Sequence, residues 1–517
     1  MPVFYFMADI FMKNKIRIAY NKNSLCKILK TGYNGKNIQL IKDFTGLIIK
    51  LQEKQVKKEE NMAFNKFSVL DFGAEANTDK NQSENIQRAV DACFKSGGGY
   101  VIIPEGDYII GDIRIRSNVY IHLLKNAHLI GSKNPEDYFN YLNDETEPLG
   151  KEYITEKLWE SPGAPNRDYT FMRTVGSRWN NGIIRGIFAE NCGVIGEEGS
   201  YIDGRNCYDE KNEEEYRGPH TLSFWYCKNV RFEGYTVKNS GNWAHNLHYC
   251  ENVFANKITV LAGHDGFHTK VCRNVGIENC GFYTGDDCLA GFANVNYYVK
   301  NCVLNSACNA MRLGATNAVI EKSKIYGPCK YCFRKGLTRE EKMSGKTDAG
   351  KNARKNMLSA FTYYSDIAFP IDTKPGNIIV RDCSIDFADR LFLYNYSAGE
   401  TWQRGAPLLS FEFDRIKAEN ISMPLVCCGS EDEKIDFTLK NSSVSFRKGF
   451  EKTDFMHINN FGRITFKNVE IKNNTSNPSI ISRQDKNDIE FDNVVSQYHK
   501  NGITVRKTEE KFVCESI

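Results

Sequence analysis

Three aspartates stand close together in this chain: Asp265, then the adjacent Asp286 and Asp287. Asp265 and Asp287 are 22 residues apart, and Asn309 lies 22 further on. A second series, Asn246, His268, Ala290 and Arg312, keeps the same step of 22. In a parallel solenoid of that period, residues one coil apart stack at ~4.8 Å, the spacing between neighbouring strands. The two series therefore predict two vertical columns side by side, with the small Ala290 leaving room between His268 and Arg312. Three carboxylates within two rungs repel one another, which costs stability unless some hold protons or are put to use. Crowded carboxylates with separated pKa values suit general acid and general base work. A carboxylic acid and a water-activating base ~6.5–9.5 Å apart can displace a group at an anomeric carbon with inversion. A calcium site or a solvated acidic patch would use the same residues. Gly285, just before the pair, predicts a turn open to solvent.

The elements that must hold these columns are legible as a repeat. An Asn followed by an apolar residue recurs at Asn229, Asn252, Asn274, Asn294 and Asn317, with spacings of 23, 22, 20 and 23. Three of these read C-x-N-V, from Cys227, Cys250 and Cys272. A period near 22 is one coil of a parallel β-helix with about three short strands per turn. Stacked Asn side chains can bond one another, and alternating runs such as Val230-Arg-Phe-Glu-Gly234 turn one apolar face inward. The L-x-x-L-x-L frame of leucine-rich repeats is absent. Weaker coils are expected at 376–382, 416–421, 435–444 and 464–471. Upstream, Ile86, Ala89, Val90 and Cys93 have helical spacing over 83–95, with Ser83 as N-cap and Gly97-Gly98-Gly99 as the stop. Strands at 100–104 and 106–110 follow. A helix of this kind plugs the open end of a solenoid, whose core and sheet edge would otherwise face water.

Composition narrows the function. The 517 residues are 41% apolar and 26% charged, and 68 basic against 64 acidic residues leave a net charge of +4. That balance predicts neither a nucleic-acid nor a membrane partner, and no apolar run approaches the ~18 residues of a membrane span. The 17 cysteines are an odd number in a long chain. Cys227, Cys250, Cys272, Cys280 and Cys302 fall where a coil points inward, so they read as small apolar residues of a reduced, cytoplasmic protein. Cys329 and Cys332 form a C-x-x-C without a second pair, so neither a metal nor another cofactor is expected. Residues 1–61 are rich in Lys and Asn, lack a period and end in a charged run, without the marks of a secretory signal. Lys57-Lys58-Glu59-Glu60-Asn61 before Met62 reads as a translated ribosome-binding site. The expectation is a bacterial chain that starts naturally at Met62, with 1–61 as a disordered or non-native extension and 62–517 as the β-helix domain. A basic insertion at about 328–358 breaks the rhythm. It reads as a solvated loop or as a basic lid over an acidic sugar. Aromatic residues at 361–364, Tyr394, Tyr396 and Trp402 are sugar-stacking platforms or coil-end packing.

Two stretches resemble a known family. The run from Phe67 to Ser132, with its G-G-G, strand and P-x-G-x-Y, resembles the opening of pectate-lyase-like β-helices. "GHDGFHTKVCRNVGIENCGFYTGDDCLAG" resembles the core of glycoside hydrolase family 28, the polygalacturonases: N-T-D-G-x-D, then (G/Q)-D-D-C-x-A one coil later. The resemblance implies a right-handed, single-stranded β-helix. It also implies Asp286 as the general acid, with Asp265 and Asp287 positioning and deprotonating water. The chain departs from the family at Gly263-His-Asp-Gly-Phe-His268, where the second Asp has become His. It departs again at Cys308-Asn-Ala-Met-Arg-Leu-Gly-Ala315, where Asn309 stands for the family's His. The family's R-I-K-T is missing from the expected coil, and Arg415-Ile-Lys417 matches it in letters only. Arg312 is then the candidate to pair with a uronate carboxylate, and His264, His268 and Asn309 are candidates to bond sugar hydroxyls. The function this implies is an inverting, exo-acting hydrolase of pectic or other uronate-containing oligosaccharides. A polysaccharide lyase or epimerase and a non-catalytic carbohydrate-binding β-helix are the alternatives on the same fold.

Overall fold

A computed structural model describes residues 46, 50, 65–138, 181–344, 346, 355–366, 374–396, 401–476, 479–496 and 503–509. Apart from residues 46 and 50, the extension expected at 1–61 lies outside the described residues, as do positions 345 and 347–354 of the insertion. The described chain is a right-handed parallel β-helix, in which each strand pairs in parallel with its counterpart one coil on.

Three strand positions repeat along the solenoid, as one coil makes plain. Strand Phe267–Lys270 leads to strand Arg273–Glu278 and then to strand Gly281–Thr284. The next coil begins at Leu289, opposite Phe267. The inward residues form a continuous apolar core from Val69 to Ile480. The expected second column is present in register: Asn246 pairs with His268, His268 with Ala290, and Ala290 with Arg312.

The asparagine ladder is real, with one member corrected. Asn229, Asn252, Asn274, Asn296 and Asn317 each donate through Nδ2 to the Oδ1 of the Asn one coil below, at 2.9–3.3 Å. Asn191 and Asn118 extend the ladder below, and Asn377 extends it above. The member is Asn296 and not the expected Asn294. Every rung sits at positive φ, between 53° and 62°, a turn conformation in which Asn is tolerated far better than most residues. Asn294 lies instead at a bulge in strand Leu289–Lys300, where its Oδ1 accepts the Cys272 amide at 3.2 Å. Its Nδ2 donates to the Thr269 carbonyl.

The capping helix spans Ser83–Lys95 and buries Ile86, Ala89, Val90 and Cys93. Ser83 is its first residue rather than its N-cap. Gln82 holds the cap position without a side-chain bond, and Ser83 Oγ accepts the Gly111 amide at 2.7 Å. The glycine stop is required by space as well as by φ. A Cβ on Gly98 would lie 2.3 Å from the Asn118 carbonyl oxygen. Strands Gly99–Ile103 and Gly106–Ile110 follow, and strands Gly376–Arg381, Lys417–Ile421, Ile435–Phe446 and Phe461–Lys472 realise the weaker coils.

Candidate active site

Asp265, Asp286 and Asp287 lie in the connections that enter strands Phe267–Lys270 and Leu289–Lys300. Their column is built by the backbone. The Asp287 amide donates to Asp265 Oδ1 at 3.3 Å, and the Asn309 amide donates to Asp287 Oδ1 at 3.1 Å. Each carboxylate thus caps the turn of the coil that follows.

The three carboxylates are not equivalent. Asp265 and Asp287 are fully buried, while Asp286 is half-buried. Asp265 Oδ2 lies 2.7 Å from His268 Nδ1. Asp287 Oδ1 also accepts Asn309 Nδ2 at 2.7 Å, and its Oδ2 meets Arg312 Nε at 2.6 Å. That last contact is an ion pair without hydrogen-bond alignment, since neither atom finds a directional partner. Burial raises the Asp265 carboxyl well above the carboxylate range, and the charges of Asp286 and Asp287 add to this. Burial lowers His268, and Lys270 and Arg312 act in the same direction. Burial thus favours the uncharged form of both partners in this bond.

The Tyr364 ring meets the rings of Phe292 at 4.8 Å and His268 at 6.3 Å, and the Arg312 guanidinium lies 4.6 Å over it. Trp402 takes the same guanidinium at 5.5 Å. Arg312 keeps 24% of its side chain exposed, so it is held by Asp287 and two rings yet still reaches solvent. Tyr394 packs within the coil, its hydroxyl accepting the Leu408 amide. Trp243 stacks on His268 with centroids 3.7 Å apart and planes 12° apart. It was not singled out by the sequence, although it lies just ahead of strand His245–His248, the coil below His268.

His264 is buried beside Asp265. Its Nδ1 faces Arg217 NH1 at 3.3 Å, and its ring stacks on Tyr216. Arg217 is in turn held by Glu214 at 3.2 Å. Burial opposes ionisation of Glu214, but Arg217 and Lys335 outweigh it and lower the carboxyl to about 2.

The described part of the insertion combines a docked core with exposed residues such as Lys330, Lys335 and Arg339. Arg334 is fully buried and donates to the carbonyls of Gly241 and Asn206. Its side chain occupies the place of a Cβ on Gly263, and the Cys332 carbonyl occupies that of a Cβ on Gly285. The turn predicted at Gly285 is packed by this segment, while the next residue, Asp286, keeps partial access to solvent. Lys342 lies 3.8 Å over the Tyr216 ring, Lys335 pairs with Glu214, and Arg339 pairs with Glu210. These cations are engaged by the protein itself, and the segment walls one side of the site.

Asp286, Asp287 and Cys308 can each bring one ligand atom within 4.8 Å of the others. Asp287 is already engaged by Asn309 and Arg312, so this trio fits proton transfer better than an ion. The described cysteines are free thiols, most of them buried. No helix among the described residues is long and apolar enough to cross a membrane.

The chain is similar to known proteins in sequence and fold. The sequence profile of Glycosyl hydrolases family 28 matches residues 174–319, which contain all three aspartates. A probable polygalacturonase of Vitis vinifera is 24% identical over 43% of this chain and 43% of its own length. An exopolygalacturonase of Platanus acerifolia is 25% identical over 48% of this chain and 60% of its own. The chain thus spans less than two thirds of these relatives. The exopolygalacturonase of Thermotoga maritima superposes with a TM-score of 0.56 at 17% identity, over 81% of this chain and 96% of that one, which shows the common fold.

Proposed function

We propose that this chain, whose residues 174–319 match the profile of Glycosyl hydrolases family 28, is an inverting, exo-acting glycosidase that removes uronate residues from short pectic oligosaccharides. The observation that carries the reading is the asymmetry of the three aspartates. Of the three, Asp286 alone reaches solvent, beside two buried carboxylates that are held by Asn309, Arg312 and His268. A half-buried carboxyl next to buried negative charge is suited to hold a proton and pass it to a leaving oxygen. The other side of the site, around Asp265 and Asp287, then serves the attacking water, as inversion requires.

Uronate selection is supported by Arg312, the partly exposed cation closest to the carboxylates, with Tyr364 and Trp402 as the aromatic surface beside it. Exo-action is supported by the docked segment around Arg334, which walls one side of the site. The buried free thiols fit a reducing compartment, so we place the enzyme in the cytoplasm, acting on imported oligosaccharides.

The test is incubation with a panel of oligogalacturonides of defined length, read by reducing ends and by ultraviolet absorbance. The expected result is release of monomers with rising reducing ends and no ultraviolet product. An unsaturated, absorbing product would make the protein a lyase. Binding without turnover across the panel would make it a carbohydrate-binding β-helix.

A further inference from the structure

We propose that His268 is the catalytic base of this site: its Nε2 takes the proton of the attacking water, while Asp265 holds the ring through Nδ1. The inference rests on the hydrolase reading above and deepens it. Both carboxylates on the water side are already used by the protein. Asp265 has one oxygen on the Asp287 amide and the other on His268, and Asp287 has one on Asn309 and the other on Arg312. His268 Nε2 is buried with neither a hydrogen-bond partner nor an ion pair, whereas Asp287 Oδ2, which also lacks a directional bond, is held by the charge of Arg312. Such a nitrogen in a native interior calls for a role or an occupant.

The partners of the other ring nitrogens fix what this atom can do. With Asp265 ionised, His268 Nδ1, 2.7 Å from that carboxylate, carries the proton and Nε2 is left as an acceptor. His264 also leaves a buried Nε2 without a partner. Its Nδ1, however, faces the Arg217 guanidinium, which can only donate. His264 Nε2 therefore carries the proton and acts as a donor, suited to a sugar oxygen and not to water activation. The site holds one acceptor and one donor nitrogen.

The His268 ring is also fixed in direction. Trp243 stacks on its face, the Tyr364 ring stands perpendicular to it, and Asp265 holds its far nitrogen. The next rung of its column is Ala290, whose side chain carries no polar atom to compete for Nε2. A buried imidazole oriented by a carboxylate is the arrangement that makes histidine an effective general base. The charged and titratable groups around it are Asp265, Lys270, Arg312, His248 and His220, and Asp265 also faces Asp286, Asp287 and Arg217.

The step balances. The water oxygen bonds to the anomeric carbon, and its proton passes to His268 Nε2. The bond from that carbon to the leaving oxygen breaks with its electron pair going to the oxygen, which takes the proton of Asp286. The products are the inverted sugar, an imidazolium beside the Asp265 carboxylate and an ionised Asp286. Return of one proton from His268 to solvent and uptake of one by Asp286 reset the site.

The experiment compares wild type, His268→Asn and His268→Gln on trigalacturonate, with kcat, KM and the pH profile of each. The Asn amide can replace the Nδ1 donor to Asp265 but supplies no base, which separates proton transfer from support of Asp265. Both variants are expected to lose kcat by about 10²–10⁴-fold with little change in KM, and the acidic limb of the wild-type profile is expected to vanish. In wild type, 15N NMR of the imidazoles is expected to show a bare Nε2 at His268 and a protonated Nε2 at His264 above the acidic limb, a readout that needs no variant to fold. A folded His268→Asn that keeps kcat or the acidic limb would overturn the proposal, as would a protonated Nε2 at His268. A wild-type protein that releases no reducing ends from any oligosaccharide would sink the hydrolase reading, and this inference with it.

Discussion

At the scale of the residue, the work is divided among groups of similar type by what surrounds them. Asp286 should be the proton donor. Asp286→Asn is expected to lower kcat by about 10²–10⁴-fold on a natural substrate, and much less on a nitrophenyl glycoside, whose leaving group departs unprotonated. Steady-state kinetics on the two substrates checks this, and equal losses would remove Asp286 from the acid role. Arg312 should select the uronate. A hydrogen bond to a charged group contributes about 1.5–3 kcal/mol, so Arg312→Ala should raise KM for a uronate substrate by about tenfold or more relative to its neutral analogue. Both substrates should share a loss in kcat, because Asp287 would be left buried beside no cation. The aspartates and the Asn246–His268–Ala290–Arg312 column were legible because a fixed period turns sequence distance into position. Tyr364 was visible as an aromatic candidate, but its place against His268 and Arg312 was not, because the connection that carries it follows an insertion of irregular length. The pairing of His264 with Arg217 was hidden for a similar reason, since nothing in the period relates residues 217 and 264.

At the scale of the element, turns and docking contacts position the site. Asn274→Ala would remove two rungs of the ladder and place Ala at a φ of 55°. With about 1 kcal/mol for each bond and about 1–2 kcal/mol for the left-handed backbone, denaturant unfolding should show a loss of about 3 kcal/mol. Gly285→Ala would set a Cβ 1.9 Å from the Cys332 carbonyl oxygen. The docked segment should then lift, and limited trypsin digestion should cut at Arg334 and Lys335 while the coils stay intact. His245 adds a pH dependence to this region. It is buried between the Tyr235 hydroxyl and the Gly266 carbonyl, and burial lowers it to about 4. A lowered folded value means that the unfolded state binds the proton first, so the stabilisation is full above ~6.5, the unfolded value, and is lost as pH falls toward 4. Melting temperature should therefore fall across that window, and His245→Gln should flatten its share of the fall. Element boundaries were legible where strands alternate. The error at Asn294 arose because a bulge adds residues to the coil, and an Asn at the bulge imitates a rung.

At the scale of the whole molecule, the solenoid fixes distances that separate loops could not. Each coil is held by its neighbours, so the carboxylates are ordered by a core that runs from Val69 to Ile480. The N-terminal end of that core is covered by helix Ser83–Lys95 and strand Asn65–Ser68. Deletion of residues 1–61 is therefore expected to leave a soluble protein of unchanged activity, and an insoluble or inactive truncation would contradict this. The fold class was legible from the period and the capping helix together. The closure of the site was not, because it depends on how an aperiodic insertion folds back onto two glycines. The central claim is that water displaces a uronate in one step, with Asp286 protonating the leaving oxygen. Time-resolved proton NMR of trigalacturonate hydrolysis tests it most directly, through the first anomeric signal to appear. The account predicts the inverted β anomer of galacturonic acid from an α-linked substrate, followed by slow mutarotation. A first product with retained α configuration, or an unsaturated uronate in its place, would contradict it.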